Sequence, residues 1–297
     1  MNSLKSILAA VDLDERSADY VLESARQLAP DTPIEVIHVL ERNAFYNLGD
    51  PSAAVVDDLQ GRMVREIGDY LTKLCDRHGI TRHALLEGHA ATIIQQHAEA
   101  QGHDLIILGT HGRHGIKRLL GSTANAVLHG TDRNVMAIRV PGKDVDVPPA
   151  ADKYRRVLAA IDLSDESNQV LDIAQVVSRK ETAELDVLHV IKPFRHAYAG
   201  VNPVAIADIG IQFEHEADQQ ARRMLHDLTV KYALPAENAR VRHGAPHIEI
   251  QDQIKELGVD LLVIGTHGKH GVQLLLGSVA NSVIHGVTCD VLAVRIK

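Results

Sequence analysis

The chain has 297 residues, about twice an ordinary domain, with a net charge of −8 at pH 7 and a pI near 6.1. That balance offers no overall basic field, which sets aside nucleic acid and anionic membrane surfaces as partners. Two cysteines, Cys75 and Cys289, form no spaced pair, so neither a disulfide framework nor a Cys-based zinc site is supported.

Ser6 to Asp12 is a short apolar run that stops at an acid, the pattern of a strand buried on both faces. Ala18, Val21, Leu22, Ala25, Leu28 and Ala29 then repeat at helical spacing, with Asp14 placed to cap the helix. Ile34 to Leu40 reads as a second strand, followed by a polar loop around residues 47 to 52 and a long helix to about His78. Thr81 to Glu87 is a more polar strand, placed at a sheet edge, and Thr92 to Ala100 a helix. The most apolar strand, Asp104 to Leu108, ends on Gly109. Ser122 is expected to cap a short helix, and Val135 to Val140 forms the fifth strand.

The chain then repeats itself. Gly109 to Val140 returns as Gly265 to Ile296 at an offset of 156, with 18 of 32 positions identical. Arg156 to Asp162 echoes the first strand at an offset of 150, and Ser164 is read as the next helix cap. Six extra residues of the second half are assigned between Pro193 and about Ile211. The alternation predicts an α/β fold of two tandem Rossmann-like domains, each with a parallel sheet flanked by helices. Boundaries are set at 1–142, a Pro-rich linker at 143–153, and 154–297. A cytoplasmic address is expected, since no signal-like or membrane-length apolar run occurs.

The repeated stretch preserves glycines, histidines and a serine more than apolar residues, which points to a polar ligand. Glycines 109, 112, 115 and 121 free backbone N–H groups to turn inward ahead of a helix start, an anion-binding arrangement. The spacing matches neither the dinucleotide fingerprint nor the lysine-clamped P-loop. A flexible loop with glycine helix caps is the plain structural alternative, and Asp12 and Asp162 have one as helix-capping acids. Each half also carries three histidines, His111, His114 and His129, repeated as His267, His270 and His285. No carboxylate or Cys stands near to complete a tetrahedral metal set, so no metal site is assigned. His111 and His114 are read as donors to phosphate or loop backbone, and His129 as a satisfied, half-buried ring.

The strand-end Asp12, the strand-borne His38-Val39, and Gly109-x2-Gly112 followed by Gly121-Ser122 together resemble the universal stress protein family, in tandem form. One departure is visible: ATP-binding members carry nine residues between the second glycine and the Gly-Ser pair, and both halves here carry eight. The resemblance implies a five-stranded sheet of order 3-2-1-4-5 that binds ATP, ADP or AMP at the carboxyl ends of strands one and four. It places Asp12 and Gly109 at the ribose, the Val39 backbone at the adenine, and Gly112, Gly121 and Ser122 at the phosphates, with His111 and Arg113 on the loop. In the second half the same roles fall to Asp162, Gly265, Val190, Gly268, Gly277 and Ser278, with His267 and Lys269. Mg would arrive with the nucleotide.

The function expected is that of a stress-response regulator or sensor with no catalytic residue assigned and at most slow ATP hydrolysis. The competing readings are a slow metal-assisted ATPase and a carrier of an apolar or lipid-like ligand, the latter motivated by Val201 to Ile211. The outer strands of the two halves are expected to pair as an intramolecular pseudo-dimer, with a homodimer of whole chains left open. Cations at 113, 117 and 118, against one at 269, predict tighter and more salt-sensitive ATP binding in the first half.

Overall fold

The computed structural model describes residues 4–41, 53–110, 120–141, 153–178, 183–193, 207–266 and 276–296, with side chains from 59 and 211 onward in the helices starting at Ala53 and Ala207. The chain divides into two compact units, Leu4–Lys153 and Tyr154–Lys297.

In the first unit β1 (Ile7–Ala10), α1 (Glu15–Leu28), β2 (Ile34–Leu40), α2 (Ala53–Arg77), β3 (Arg82–Glu87), α3 (Ala90–Ala100), β4 (Leu105–Gly109), α4 (Ser122–Gly130) and β5 (Asn134–Ile138) follow in order. The strands lie β3-β2-β1-β4-β5, every pair parallel. The all-apolar composition of β1 and β4 is what places them centrally: Ile7, Leu8, Leu105, Ile106 and Ile107 are fully buried. Each such side chain contributes about 1.5–3 kcal/mol relative to exposure. β3, the polar strand, runs along the edge with both ends exposed.

The second unit repeats the plan with β6 (Arg156–Ile161), α5 (Ser167–Val177), β7 (Glu184–Ile191), α6 (Ala207–Tyr232), β8 (Ala239–His243), α7 (Pro246–Leu257), β9 (Leu261–Gly265), α8 (Ser278–Ile284) and β10 (Asp290–Val294). Its order is β8-β7-β6-β9-β10, again parallel throughout.

Two expectations need correction. Ser122 is the first residue of α4, not its cap; Gly121 occupies the cap position and no side chain hydrogen-bonds there. Ser164 does not cap α5, which starts three residues later behind Glu166. Its hydroxyl instead donates to Asp162 Oδ1 at 2.5 Å, because the chain turns inward there: Leu163 holds a left-handed φ of 58°, costly for a residue with a Cβ. Asp14, by contrast, caps α1 as read, accepting from the Ser17 amide at 3.0 Å. Lys153 is the last residue of the stretch read as linker. Its amide donates to Gln27 Oε1 at 3.2 Å, and its ammonium donates to Ser24 Oγ at 2.6 Å and sits 4.1 Å from the Tyr20 ring centre, so it is pinned to α1. Residues 142–152 lie outside the described part of the chain.

Among the described residues no helix is long and apolar enough to cross a membrane. Both cysteines are buried, and burial pushes the Cys75 thiol up to about 11.

Candidate functional site

Parallel strands all end on one side of the sheet, and the crevice where the order reverses between β1 and β4 is where a doubly wound sheet offers a cavity. Each unit has one there. In the first, about 260 Å3, Asp12, Ser17, His38, Val39, Gly109 and Ser122 are among the lining residues. In the second, about 460 Å3, Asp162, Ser167, His189, Val190, Gly265 and Ser278 hold the corresponding positions. Of the predicted site residues, Asp12, Val39, Gly109, Gly121 and Ser122 come together in one cavity, and Asp162, Val190, Gly265, Gly277 and Ser278 in the other. His111, Gly112, Arg113, His267, Gly268 and Lys269 lie outside the described residues.

Asp12 stands just past β1, where the strand has stopped pairing, so its carboxylate projects over the crevice. It accepts from the Asp14 amide at 3.3 Å. Burial pushes its carboxyl above the ordinary range, more strongly than the Ser17 hydroxyl and the Asp14 amide pull it down. Asp162 is held differently: the Ser164 amide at 3.0 Å, its hydroxyl and the Ser167 hydroxyl at 3.2 Å all donate to Oδ1. These bonds orient the carboxylate within its cavity.

Two histidines absent from the predicted site also line the cavities. His38 Nδ1 donates to the Val11 carbonyl at 2.7 Å, and His189 Nδ1 to the Ile161 carbonyl at 3.0 Å. A carbonyl can only accept, so both rings carry their proton on Nδ1. Their signal in sequence was the repeated His-Val pair, read there only for its valine. His129 behaves as expected, bonding the Asn125 carbonyl at 2.8 Å from within its own helix.

The threonine after each central strand closes the site. Thr110 and Thr266 are buried; their amides donate to Ile138 and Val294 carbonyls, and their carbonyls accept from Gly121 and Gly277 amides at 2.6 Å. A Cβ on Gly121 would stand 2.8 Å from the Thr110 oxygen, so only glycine fits. The Gly121 and Gly277 amides are thus engaged within the fold. What remains for an anion are the first amides of α4, from Ser122 to Ala124, which helix geometry leaves without intrahelical acceptors.

The apolar residues at the start of α6 do not shape the second cavity in the described part. Ile211 and Phe213 are 67% and 55% exposed, and neither lines it.

Each half is therefore a doubly wound α/β unit with a carboxylate-bearing cavity at its strand ends. Residues 3–139 and 153–295 each match the model of the universal stress protein family. The chain belongs to that family, as two tandem copies. Universal stress protein A homolog 1 of Coxiella burnetii is 40% identical over 144 residues, covering 48% of this chain and 98% of that protein. Homolog 2 of the same organism is 35% identical over 147 residues, covering 49% and 98%. Over the full length, a solved universal stress protein from Archaeoglobus fulgidus DSM 4304 aligns with 98% of this chain and 96% of its own, at a TM-score of 0.63 and 21% identity. A putative universal stress protein from Pseudomonas aeruginosa UCBPP-PA14 aligns with 99% and 94%, at 0.62 and 18%. These two likenesses show the fold.

Proposed function

We propose that each half binds an adenine nucleotide, ATP, ADP or AMP, and that the chain acts as a cytoplasmic regulator or sensor in the stress response. The observation that carries this reading is the recurrence, in both cavities, of one chemical set. A strand-end carboxylate (Asp12, Asp162) meets the backbone of a strand-borne valine (Val39, Val190) and a Gly-Ser pair opening a helix. A carboxylate accepts from ribose hydroxyls, strand backbone can pair with an adenine edge, and helix-start amides donate to phosphate oxygens. The larger cavity, about 460 Å3, falls within the range of small-molecule sites.

In this reading His111, Gly112 and Arg113 contact phosphate in the first half, and His267, Gly268 and Lys269 in the second, with Mg accompanying the nucleotide. Turnover in this reading is slow at most. The proposal keeps the intramolecular pseudo-dimer expected from the apolar outer strands. Rapid amide exchange along Asn134–Ile138 and Asp290–Val294 in the intact protein would remove that part.

The test is native mass spectrometry of freshly purified protein, followed by calorimetric titration with ATP. Adenine nucleotide should co-purify or bind, and Asp162→Ala should weaken binding. A lipid-like adduct in place of nucleotide, or ATP affinity unaltered in Asp12→Ala/Asp162→Ala, would overturn it.

A further inference from the structure

At the opposite end of the first sheet from the cavity, three side chains distant in sequence converge. Glu35 is the second residue of β2, His97 sits in the last turn of α3, and His103 lies in the turn that leads into β4. Glu35 is 6% exposed and His103 fully buried. One ligand atom from each, a carboxylate oxygen and two ring nitrogens, lies within 4.8 Å of the others. His97 Nε2 is 2.7 Å from Glu35 Oε1, and His103 Nε2 is 3.4 Å from Oε2. Four ligands arranged tetrahedrally at zinc bond lengths stand about 3.4 Å apart, so small side-chain adjustments suffice.

The buried end of the cluster is unsatisfied as it stands. His103 Nε2 is buried without a hydrogen-bond partner, and Glu35 Oε2, likewise buried, is met only by the ion pair to the Arg82 guanidinium. His103 Nδ1 shares a 2.7 Å hydrogen bond with Ser6 Oγ. If Nδ1 carries the proton, the Nε2 lone pair faces a carboxylate oxygen, acceptor against acceptor. If Nε2 carries it, the 3.4 Å separation lies beyond ordinary N–H···O distances. A cation between the two atoms relieves the first arrangement, and in the second it binds once Nε2 gives up its proton. The Ser6 bond has the role an outer hydrogen bond plays in orienting a histidine ligand.

The second half shows how the fold treats this position when no ligand is called for. Glu35 pairs in register with Leu8, and Asp186 pairs with Leu158 in the same way. Asp186 is fully buried, and two guanidiniums hold it: Arg156 Nε donates to Oδ2 at 3.0 Å, and Arg240 donates twice to Oδ1 at 3.2 Å. Arg156 stands where the first half has Ser6, Gln253 where it has His97, and Val259 where it has His103. The acid persists while two imidazoles take the place of one of its two guanidinium partners. Arg82 also approaches Glu35 Oε2 at 2.5 Å, but its side chain is 54% exposed and can turn to solvent. That side and the partly exposed His97 leave the cluster open to a water as fourth ligand.

We propose that Glu35, His97 and His103 form a zinc site, with Glu35 and the two Nε2 atoms as ligands and solvent completing the shell. A two-imidazole, one-carboxylate set suits zinc or a similar first-row dication. The site lies apart from the strand-end cavity and does not depend on what that cavity binds.

The experiment uses tag-free full-length protein, stripped with chelator and titrated with Zn2+ by calorimetry, with Co2+ visible absorption as a probe of coordination. One tight Zn2+ per chain and a zinc-dependent rise in Tm are expected. His97→Gln, which installs the residue the second half carries, should fold and lose at least about 100-fold in affinity, together with the Tm rise. Glu35→Gln should do the same. Absence of zinc-dependent stabilisation in the wild type, or full affinity retained in His97→Gln, would overturn the site; the latter would place any zinc on other histidines.

Discussion

The amide of Gly121 donates to the carbonyl of Thr110 at 2.6 Å, joining the residue after β4 to the residue before α4. The pair ties together the two ends of the stretch between them, and Gly277 with Thr266 repeats it at the same distance. Gly121→Ala would put a Cβ 2.8 Å from a backbone oxygen that has little room to move. We expect a loss of about 1–3 kcal/mol in denaturant-induced unfolding, along with weaker ligand binding. Unchanged stability would mean the tie opens without cost.

Asp12 carries a pH signature. Its folded carboxyl titrates above the unfolded value of 3.8, chiefly through burial, so the folded state binds a proton more readily than the unfolded chain. Stability therefore falls as pH rises from about 4 through the folded pKa, and the cost stays constant above it. Asp12→Asn preserves the acceptor for the Asp14 amide and should stabilise the ligand-free protein at pH 7, with the gain vanishing below pH 4. Denaturation curves at several pH values measure this, and equal gains at pH 3 and pH 7 would contradict it.

The two sites should differ. Cations at 113, 117 and 118 favour the first half for a triphosphate, whereas the described cavity walls favour the second, about 460 against 260 Å3. Exposed charges are screened over about 10 Å at 0.1 M salt, while cavity shape is not. Near physiological salt we therefore expect tighter ATP binding in the second half, the reverse of what the charges alone predict, and steeper salt dependence in the first. Gly112→Val and Gly268→Val as single variants separate them by calorimetry. If Gly268→Val leaves the tighter site intact, charge outweighs shape.

The cysteines should be silent. Cys75 is fully buried with its thiol pushed up to about 11, and Cys289 is 6% exposed. Only the thiolate reacts at a useful rate, so a thiol reagent at pH 8 should label neither until the protein unfolds. Stoichiometric labelling of the native protein would show that one unit opens locally.

Much of the architecture was legible because it depends on local pattern and duplication. Apolar runs such as Ile34–Leu40 and Leu105–Gly109 specify buried parallel strands, and the polar Arg82–Glu87 specifies an edge. The repeat brought Asp12, Gly109 and Ser122 forward as one set, since two copies share what one copy cannot distinguish from chance. Tertiary structure decided what depends on groups far apart in the chain meeting at atomic distance. Gly121 is there for the Thr110 carbonyl, a contact its spacing does not reveal. Ser164 turns to Asp162 instead of capping a helix, because Leu163 takes a left-handed backbone that no propensity predicts. Glu35, His97 and His103 share no motif, and 62 residues separate the first two. Only the parallel register of β1, β2 and β4, with α3 packed against β2, brings one carboxylate and two imidazoles to the same end of the sheet.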